Sequence, residues 1–110
     1  MSARFQIIDI GHRGFSLDRA LSELETDVSA CIFNGKTRAI KIIHGHGTGA
    51  LKRGVREWCK SQEGRFQAVI QGESYDLFDP LSASMRADCG SPHDPDLGRK
   101  NSAITYIWLW

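Results

Sequence analysis

The sequence predicts an α/β fold, a two-layer sandwich in which a four-stranded mixed sheet carries two helices on one face. Short β-branched or aromatic runs alternate with longer segments, two of those segments have the apolar spacing of an amphipathic helix, and one unpatterned stretch precedes the last run. The predicted order is β-α-β-α-β-long loop-β. Because two helices cover only one face of such a sheet, the other face must be exposed to solvent or covered by another segment.

The first strand and the first helix are predicted in the N-terminal third of the chain. FQIIDI, residues 5–10, is short, apolar and β-branched, which favours a strand. After the loop GHRGF, Ser16 is a suitable helix N-cap, and Asn34-Gly35 is a stop signal. Spacings of three and four place an apolar stripe on one face of this helix, formed by Leu17, Ala20, Leu21, Leu24, Val28, Cys31 and Ile32.

The rest of the chain carries the remaining strands and the second helix. RAIKII (38–43), RFQAVI (65–70) and AITYIWLW (103–110) predict the second, third and fourth strands. The second helix is predicted from Thr48 to near Gly64. Its apolar face consists of Leu51, Val55, Trp58 and Cys59.

An extended loop, at about residues 71–102, separates the third strand from the fourth. A loop of this length in a small domain is usually functional or contains short structure of its own. In the last strand Tyr106, Trp108 and Trp110 share one face, which either stacks nucleic-acid bases or is buried by the loop. We expect burial, because two exposed tryptophans are unusual on a monomer. The loop offers as apolar partners Tyr75, Leu77, Phe78, Leu81 and Met85.

Composition predicts one domain, residues 1–110, with a single modest core. Hydrophobic residues at 41% and charged residues at 25% are typical of soluble globular proteins. No apolar run approaches the ~20 residues that span a bilayer, and MSARFQ lacks signal-peptide character. Cys31, Cys59 and Cys89 are odd in number and unclustered, which indicates neither a disulfide framework nor a zinc site. We expect a reduced, cytoplasmic protein, a monomer without membrane contact.

The net charge of +1 conceals a strong asymmetry along the chain. Residues 36–65 carry eight Lys or Arg against two Glu, whereas residues 73–96 carry six acids against one Arg. A basic block beside an acidic block is informative about binding partners rather than about fold.

The glycine-rich stretch KIIHGHGTGAL, residues 41–51, has the pattern strand, turn, helix N-terminus. Such a turn offers backbone N–H groups and the positive end of a helix dipole to an anion, here from Gly45, His46, Gly47, Thr48 and Gly49. It lacks the Lys-Ser/Thr of a phosphate-binding NTPase loop and the spacing of a dinucleotide fold, so a plain structural turn is the alternative. Two histidines at this point favour contact with phosphate or proton transfer.

The predicted second helix adds a basic stripe to this loop. Lys52, Arg56 and Lys60 recur every four residues, and Arg53 lies beside them. A solvated helix face is the simpler interpretation of the stripe alone. Together with the glycine loop, it favours binding of a nucleic-acid backbone, of DNA or RNA.

The stretch HGHGTGAL resembles the H-G-x-G-T-G motif of the Smr (small MutS-related) domain family. The match consists of His44, Gly45, Gly47, Thr48, Gly49 and Leu51. The resemblance implies a stand-alone Smr-like domain with a two-layer α/β sandwich, similar to the C-terminal domain of a bacterial translation initiation factor. Several family members nick DNA or cleave RNA, and others bind nucleic acid without cleaving it.

The family's second motif, L-D-x-H-G or L-D-x-R-G, fits the stretch IIDIGHRGF in two registers. Aligned from Asp9, the histidine comes one residue late, at His12, and the two side chains form an acid-histidine pair. Aligned from the helix, Arg13 is a phosphate contact and the acidic position falls on Gly11. The first register implies nuclease chemistry, and the second implies that the nuclease group is missing.

These features predict an endonuclease, with a non-catalytic nucleic-acid-binding module as the alternative and a protein adaptor that uses the acidic loop as a third. We expect Asp9, His12 and His44 to meet at the ends of the first two strands, because parallel neighbours deliver these ends to one rim of a sheet. Phosphate is expected on the amides of residues 45–49, with Arg13 and the basic stripe beside them. No ligand cluster requires a metal; a divalent cation, Mg or Mn, is compatible with the reaction.

Overall fold

The computed structural model describes residues 4–110 and contains four strands and three α-helices in this part of the chain. The elements are β1 (Phe5–Asp9), α1 (Leu17–Asn34), β2 (Ala39–Ile43), α2 (Ala50–Ser61), β3 (Ala68–Gln71), a 3₁₀ turn (Gly72–Ser74), α3 (Pro80–Asp88) and β4 (Ile104–Trp108). The strand order is β1-β2-β4-β3. β1 is parallel to β2, and β4 is antiparallel to both of its neighbours, so the predicted mixed sheet is confirmed.

Helix α1 begins and ends as its capping residues predict. The Ser16 hydroxyl accepts a hydrogen bond from the Arg19 amide at 3.2 Å, and Gly35 adopts φ 70° as the C-cap. The buried stripe of α1 faces the sheet together with the apolar side of α2. This first core contains Ile8, Ile10, Ala20, Leu24, Val28, Cys31, Ile40, Ile42, Val55, Cys59, Phe66, Ile107 and Leu109.

A second core lies on the opposite face of the sheet, under the segment that joins β3 to β4. Tyr106 and Trp108 are buried there, and the Tyr75 and Tyr106 rings stack at 4.0 Å between centroids. The expected burial of this row is therefore confirmed for two of its three aromatic residues. Trp110 lies beyond the end of β4 and is 69% exposed.

The segment at 71–102 contains a third helix that the sequence pattern did not predict. Helix α3 begins where the Asp79 carboxylate accepts the Ser82 amide at 3.0 Å, with Pro80 in its first turn. Met85 enters the second core. The expected contribution of Tyr75 is likewise confirmed, whereas that of Leu77, Phe78 and Leu81 was wrong, since all three are exposed.

An ion-pair network fixes the last part of this segment to the sheet. The Lys41 ammonium lies 2.6 Å from carboxylate oxygens of both Asp94 and Asp96, and the Tyr106 hydroxyl donates to Asp94 at 2.7 Å. Lys41 and Asp94 are almost completely buried. Although burial acts to lower it, the hydrogen bonds to the two carboxylates raise the pKa of Lys41, so the ammonium stays charged. The network holds Asp94 and Asp96 against β2.

Candidate functional site

The loop after β1 lies directly against the loop after β2. Asp9 pairs with Ile43 at the ends of these parallel strands, and the Ile43 carbonyl accepts the amides of Ile10 and Gly11, each at 3.0 Å. A Cβ atom on Gly11 would lie 2.8 Å from the carbonyl carbon of His44, closer than real contacts allow. Glycine at this position therefore permits the two loops to share one site.

Asp9 and His12 form a hydrogen-bonded pair at the rim of this site. One Asp9 carboxylate oxygen accepts the amides of Gly11 and His12 at 3.0 and 3.3 Å, and the other lies 2.8 Å from His12 Nδ1. Because a carboxylate only accepts, Nδ1 carries the proton in this bond, and Nε2 is left for a ligand. Partial burial acts to raise the pKa of Asp9, but the bonds from His12 and Gly11 bring it below its usual value. This is the geometry of the first motif register.

A cavity of about 400 Å³ brings His12 and the glycine loop together. Residues 44–51 form one wall, and the other wall is formed by Gly11, His12, Phe15 and Leu17. The His12 side chain is 74% exposed at this rim. A histidine that acts as a general base is commonly oriented in this way, by a carboxylate that accepts from Nδ1.

The amides of the glycine loop divide into bonded and unbonded groups. The Gly45 amide donates to the Ala103 carbonyl at 3.1 Å, and the Gly49 amide donates to the His46 carbonyl at 2.8 Å. Within residues 4–110, the amides of His46, Gly47 and Thr48 donate to no acceptor. The expectation of a phosphate on all amides of 45–49 is therefore corrected to residues 46–48, because the outer two are already used.

The N-terminus of helix α2 follows directly after these three amides. Its N-cap is Gly49 at φ 86°, without a side-chain cap, and its first turn contains no acidic residue. The Thr48 hydroxyl accepts the Ala50 amide at 3.3 Å. The positive end of the helix dipole is thus left without a compensating carboxylate in that turn, which favours an anion.

His44 is placed differently from the prediction of a proton-transfer role. It is 3% exposed, with Nδ1 3.0 Å from the Gly45 carbonyl and Nε2 2.9 Å from the Thr105 hydroxyl. Burial is the main cause of a lowered pKa at His44, so the ring is neutral. Since both ring nitrogens are hydrogen-bonded inside the protein, neither is open to a substrate, and the predicted catalytic role is corrected to a structural one.

The other histidine of the loop, His46, is exposed at the cavity. Its Nδ1 lies 3.2 Å from the Ser102 hydroxyl, which belongs to the segment before β4. The extended segment therefore reaches the glycine loop. The phosphate contact of His46 stays a prediction.

Two of the cations in the basic stripe on α2 already contact a carboxylate of this chain. Both terminal nitrogens of Arg56 donate to the Glu73 carboxylate, at 3.0 and 2.6 Å, and its Nε donates to Thr105 at 3.2 Å. Hydrogen bonds from Arg56 lower the pKa of Glu73 to about 2. The phosphate contact predicted for Arg56 is therefore corrected, because Glu73 already occupies its guanidinium. Lys52 Nζ lies 3.8 Å from the same carboxylate.

Arg53 and Lys60 are the exposed cations of the stripe. The Arg53 guanidinium folds back toward the loop, so that a Cβ atom on Gly49 would lie 3.0 Å from it. Arg13, by contrast, does not line the cavity. Its guanidinium lies 5.1 Å from the centre of the Phe15 ring and borders a neighbouring cleft that Asp9 also lines.

No group of three or more His, Cys, Asp or Glu side chains among residues 4–110 is arranged to hold a metal ion. The divalent cation stays a prediction. None of the helices in these residues is long and apolar enough to cross a membrane.

A slightly larger cavity, of about 450 Å³, lies near the end of β4 and has mainly apolar walls that include Phe33 and Trp110. The two arginines in its wall, Arg38 and Arg65, both form ion pairs with carboxylates. It lacks the oriented base and the unbonded amides of the cavity beside His12, which is therefore the better candidate.

Sequence reasoning did not identify Thr105, Glu73 or Ser102 as parts of this site. Strand alternation puts Thr105 on the face opposite the aromatic row, and a hydroxyl in an otherwise apolar strand was the available signal. Glu73 and Ser102 lie in the extended segment, where no pattern predicted their position.

Comparisons with known proteins concern the family and the fold of this chain. The sequence profile described as "Smr domain" matches residues 10–75. Similar curated proteins are named Endonuclease MutS2: that of Finegoldia magna is 36% identical over 55 residues, 50% of this chain, and that of Brevibacillus brevis is 32% identical over 68 residues, 60% of this chain. These alignments cover only 7% and 8% of the two relatives.

Among solved structures, the crystal structure of the Smr domain of Thermus thermophilus MutS2 has the same fold. It superposes with a TM-score of 0.62 and covers 96% of this chain and 98% of that one, at 20% sequence identity.

Proposed function

The chain belongs to the Smr domain family, and from this membership we propose that it binds nucleic acid by its phosphate backbone and cleaves a phosphodiester bond beside His12. One observation carries the proposal: the Asp9-paired imidazole of His12 and the unbonded amides of residues 46–48 line the same cavity. An oriented base and a set of anion-binding donors are the two groups that hydrolysis of a phosphodiester needs.

In the proposed reaction, Nε2 of His12 accepts a proton from water while the water oxygen attacks phosphorus. Asp9 stabilises the resulting imidazolium through Nδ1 and is a positioning residue. The bond from phosphorus to the leaving oxygen breaks, and this oxygen takes a proton from solvent. The amides of 46–48 and the N-terminus of α2 hold the negative charge that develops on the phosphoryl oxygens.

Exposed cations beside the cavity extend the binding surface along the backbone. Arg53 lies next to the glycine loop, and Lys60 lies two turns further along α2. Both side chains would contact phosphate groups electrostatically, and such contacts do not distinguish one base sequence from another. The proposed substrate is therefore DNA or RNA without base specificity.

The reaction is tested with purified protein, supercoiled plasmid DNA and single-stranded RNA. We expect His12→Ala to reduce cleavage by about 10²- to 10⁴-fold, the usual contribution of a general base, and to leave binding in place. Asp9→Asn should reduce cleavage less. His93→Ala is the matched control, because His93 is an exposed histidine outside the cavity. Wild-type cleavage in His12→Ala would contradict the role of His12, and a parallel assay with EDTA tests the divalent cation.

A non-catalytic nucleic-acid-binding module is the second candidate. It is favoured by the displaced motif, since His12 follows Gly11 and Asp9 lies one residue before the matched region. Binding of plasmid and RNA without cleavage of either one would select this function.

The adaptor alternative has less support, because the acids of the extended segment are largely used internally. Glu73 pairs with Arg56, Asp94 and Asp96 pair with Lys41, and Asp88 accepts from Trp108. Since Asp88 also pairs with Arg38, four of the six acids at residues 73–96 already contact a cation of this chain.

A further inference from the structure

A continuous series of hydrogen bonds connects the extended segment with the glycine loop. Glu73 holds both terminal nitrogens of Arg56, and Arg56 Nε donates to the Thr105 hydroxyl at 3.2 Å. Thr105 lies 2.9 Å from His44 Nε2, and His44 Nδ1 lies 3.0 Å from the Gly45 carbonyl. Five residues from four separate parts of the chain thus form one chain of contacts.

The chemistry of the end groups fixes the direction of every bond in the series. The Gly45 carbonyl only accepts, so His44 carries its proton on Nδ1. In the neutral ring Nε2 is then an acceptor, and the Thr105 hydroxyl donates to it. The hydroxyl oxygen in turn accepts from Arg56, which has only donors.

This series reaches the binding loop at the peptide group between Gly45 and His46, which carries the first of the three unbonded amides. The Gly45 carbonyl is held by His44, and the Gly45 amide is held by Ala103. Both hydrogen-bonding groups of Gly45 are therefore fixed before the chain enters residues 46–48.

Burial makes the series hard to replace by water. Thr105 is 0% exposed and His44 is 3% exposed. At the far end, Gly72 lies so close to the backbone that a Cβ atom would be 2.0 Å from the Asn101 carbonyl oxygen, which fixes the position of the adjacent Glu73. Removing one buried member leaves its neighbours unsatisfied.

We propose that Thr105, Arg56 and Glu73 are positioning residues of the glycine loop: through His44 they hold Gly45 so that the amides of residues 46–48 point toward one phosphate. This inference rests on the proposed nucleic-acid binding. It makes the segment after β3 part of the binding site through the contact of Glu73 with Arg56.

The test compares Thr105→Val, which removes the hydroxyl at nearly constant volume, with Thr105→Ser, which keeps it. Affinity is measured with a fluorescein-labelled single-stranded oligonucleotide over a range of salt concentrations. We expect Thr105→Val to weaken binding about three- to tenfold, the equivalent of one hydrogen bond. Thr105→Ser should bind with the affinity of the wild type. The salt slope should be unchanged, because no cation is lost.

Two NMR measurements complete the test. Inorganic phosphate should shift the amide resonances of residues 46–48 in the wild type and shift them less in Thr105→Val. In the wild type, ¹⁵N spectra should show His44 protonated at Nδ1 and unprotonated at Nε2 near neutral pH, a result that needs no variant and holds even if Thr105→Val does not fold.

The failures of the two proposals are distinguishable. The positioning role is overturned if folded Thr105→Val binds as tightly as the wild type, or if His44 carries its proton on Nε2. Either result leaves the proposed nucleic-acid binding intact. If the wild type binds neither the oligonucleotide nor phosphate, the proposed function itself is wrong, and the inference is overturned with it.

Discussion

At the scale of single residues, the sequence predicted that His12 and His44 are both catalytic. Their hydrogen-bond partners, rather than their positions in the motifs, distinguish the two. His12 is exposed and has one ring nitrogen free, whereas His44 is buried and has none. The pair of Asp9 and His12 was predictable because the two residues lie three positions apart in the chain. The partners of His44 and Arg56 were not, since Thr105 and Glu73 are brought to them only by the strand order and by a turn without a sequence pattern.

Acid should destabilise the protein through His44. Its pKa in the folded protein lies below the model-peptide value of 6.5, so the unfolded chain binds more protons as pH falls through that value. We therefore expect the free energy of unfolding, measured in urea, to decrease between about pH 7 and pH 5.5. His44→Gln should remove this part of the pH dependence, and His93→Ala should retain it. The same decrease in both variants would contradict the assignment to His44.

At the scale of elements, the sequence predicted all four strands and the two helices that pack on one face. Their apolar spacing and caps are local signals, as Ser16 and Gly35 illustrate. Helix α3 was missed because it spans only nine residues, of which Ser82 and Met85 are buried, too few for a periodic stripe. Its start signal was present, since Asp79-Pro80 is a typical N-cap followed by a first-turn proline.

The attachment of the extended segment should depend on Lys41. Lys41→Met leaves two carboxylates close together, one of them buried, without their cation. We expect a loss of about 3–5 kcal/mol in the free energy of unfolding, the usual result of removing one partner from a buried pair. Lys36→Met is the matched control, because Lys36 is exposed, and its effect should be close to zero. A similarly small effect at Lys41 would mean that the buried pair adds no net stability.

At the scale of the whole molecule, positive charge extends along α2 from the glycine loop, from Arg53 in the first turn to Lys60 in the last. Fewer of its cations are unpaired than the count of Lys and Arg in the sequence indicates. We expect Arg53→Ala and Lys60→Ala each to flatten the salt dependence of nucleic-acid binding by roughly one unit per lost phosphate contact. Lys36→Ala is the charge-matched control, because Lys36 precedes β2 and the loop follows it. An unchanged slope in the double variant would show that this helix face is only solvated.

The position of β4 has a consequence for the time at which the site forms. This strand is the last element of the sheet in the chain, yet it lies between β2 and β3. Thr105 of β4 and Ala103, which directly precedes the strand, hydrogen-bond to His44 and Gly45. A segment that ends at residue 75 contains the complete matched region and lacks both supports. On the proposed function, we therefore expect affinity for nucleic acid to be acquired during synthesis only when the final strand inserts, after the motif itself has emerged.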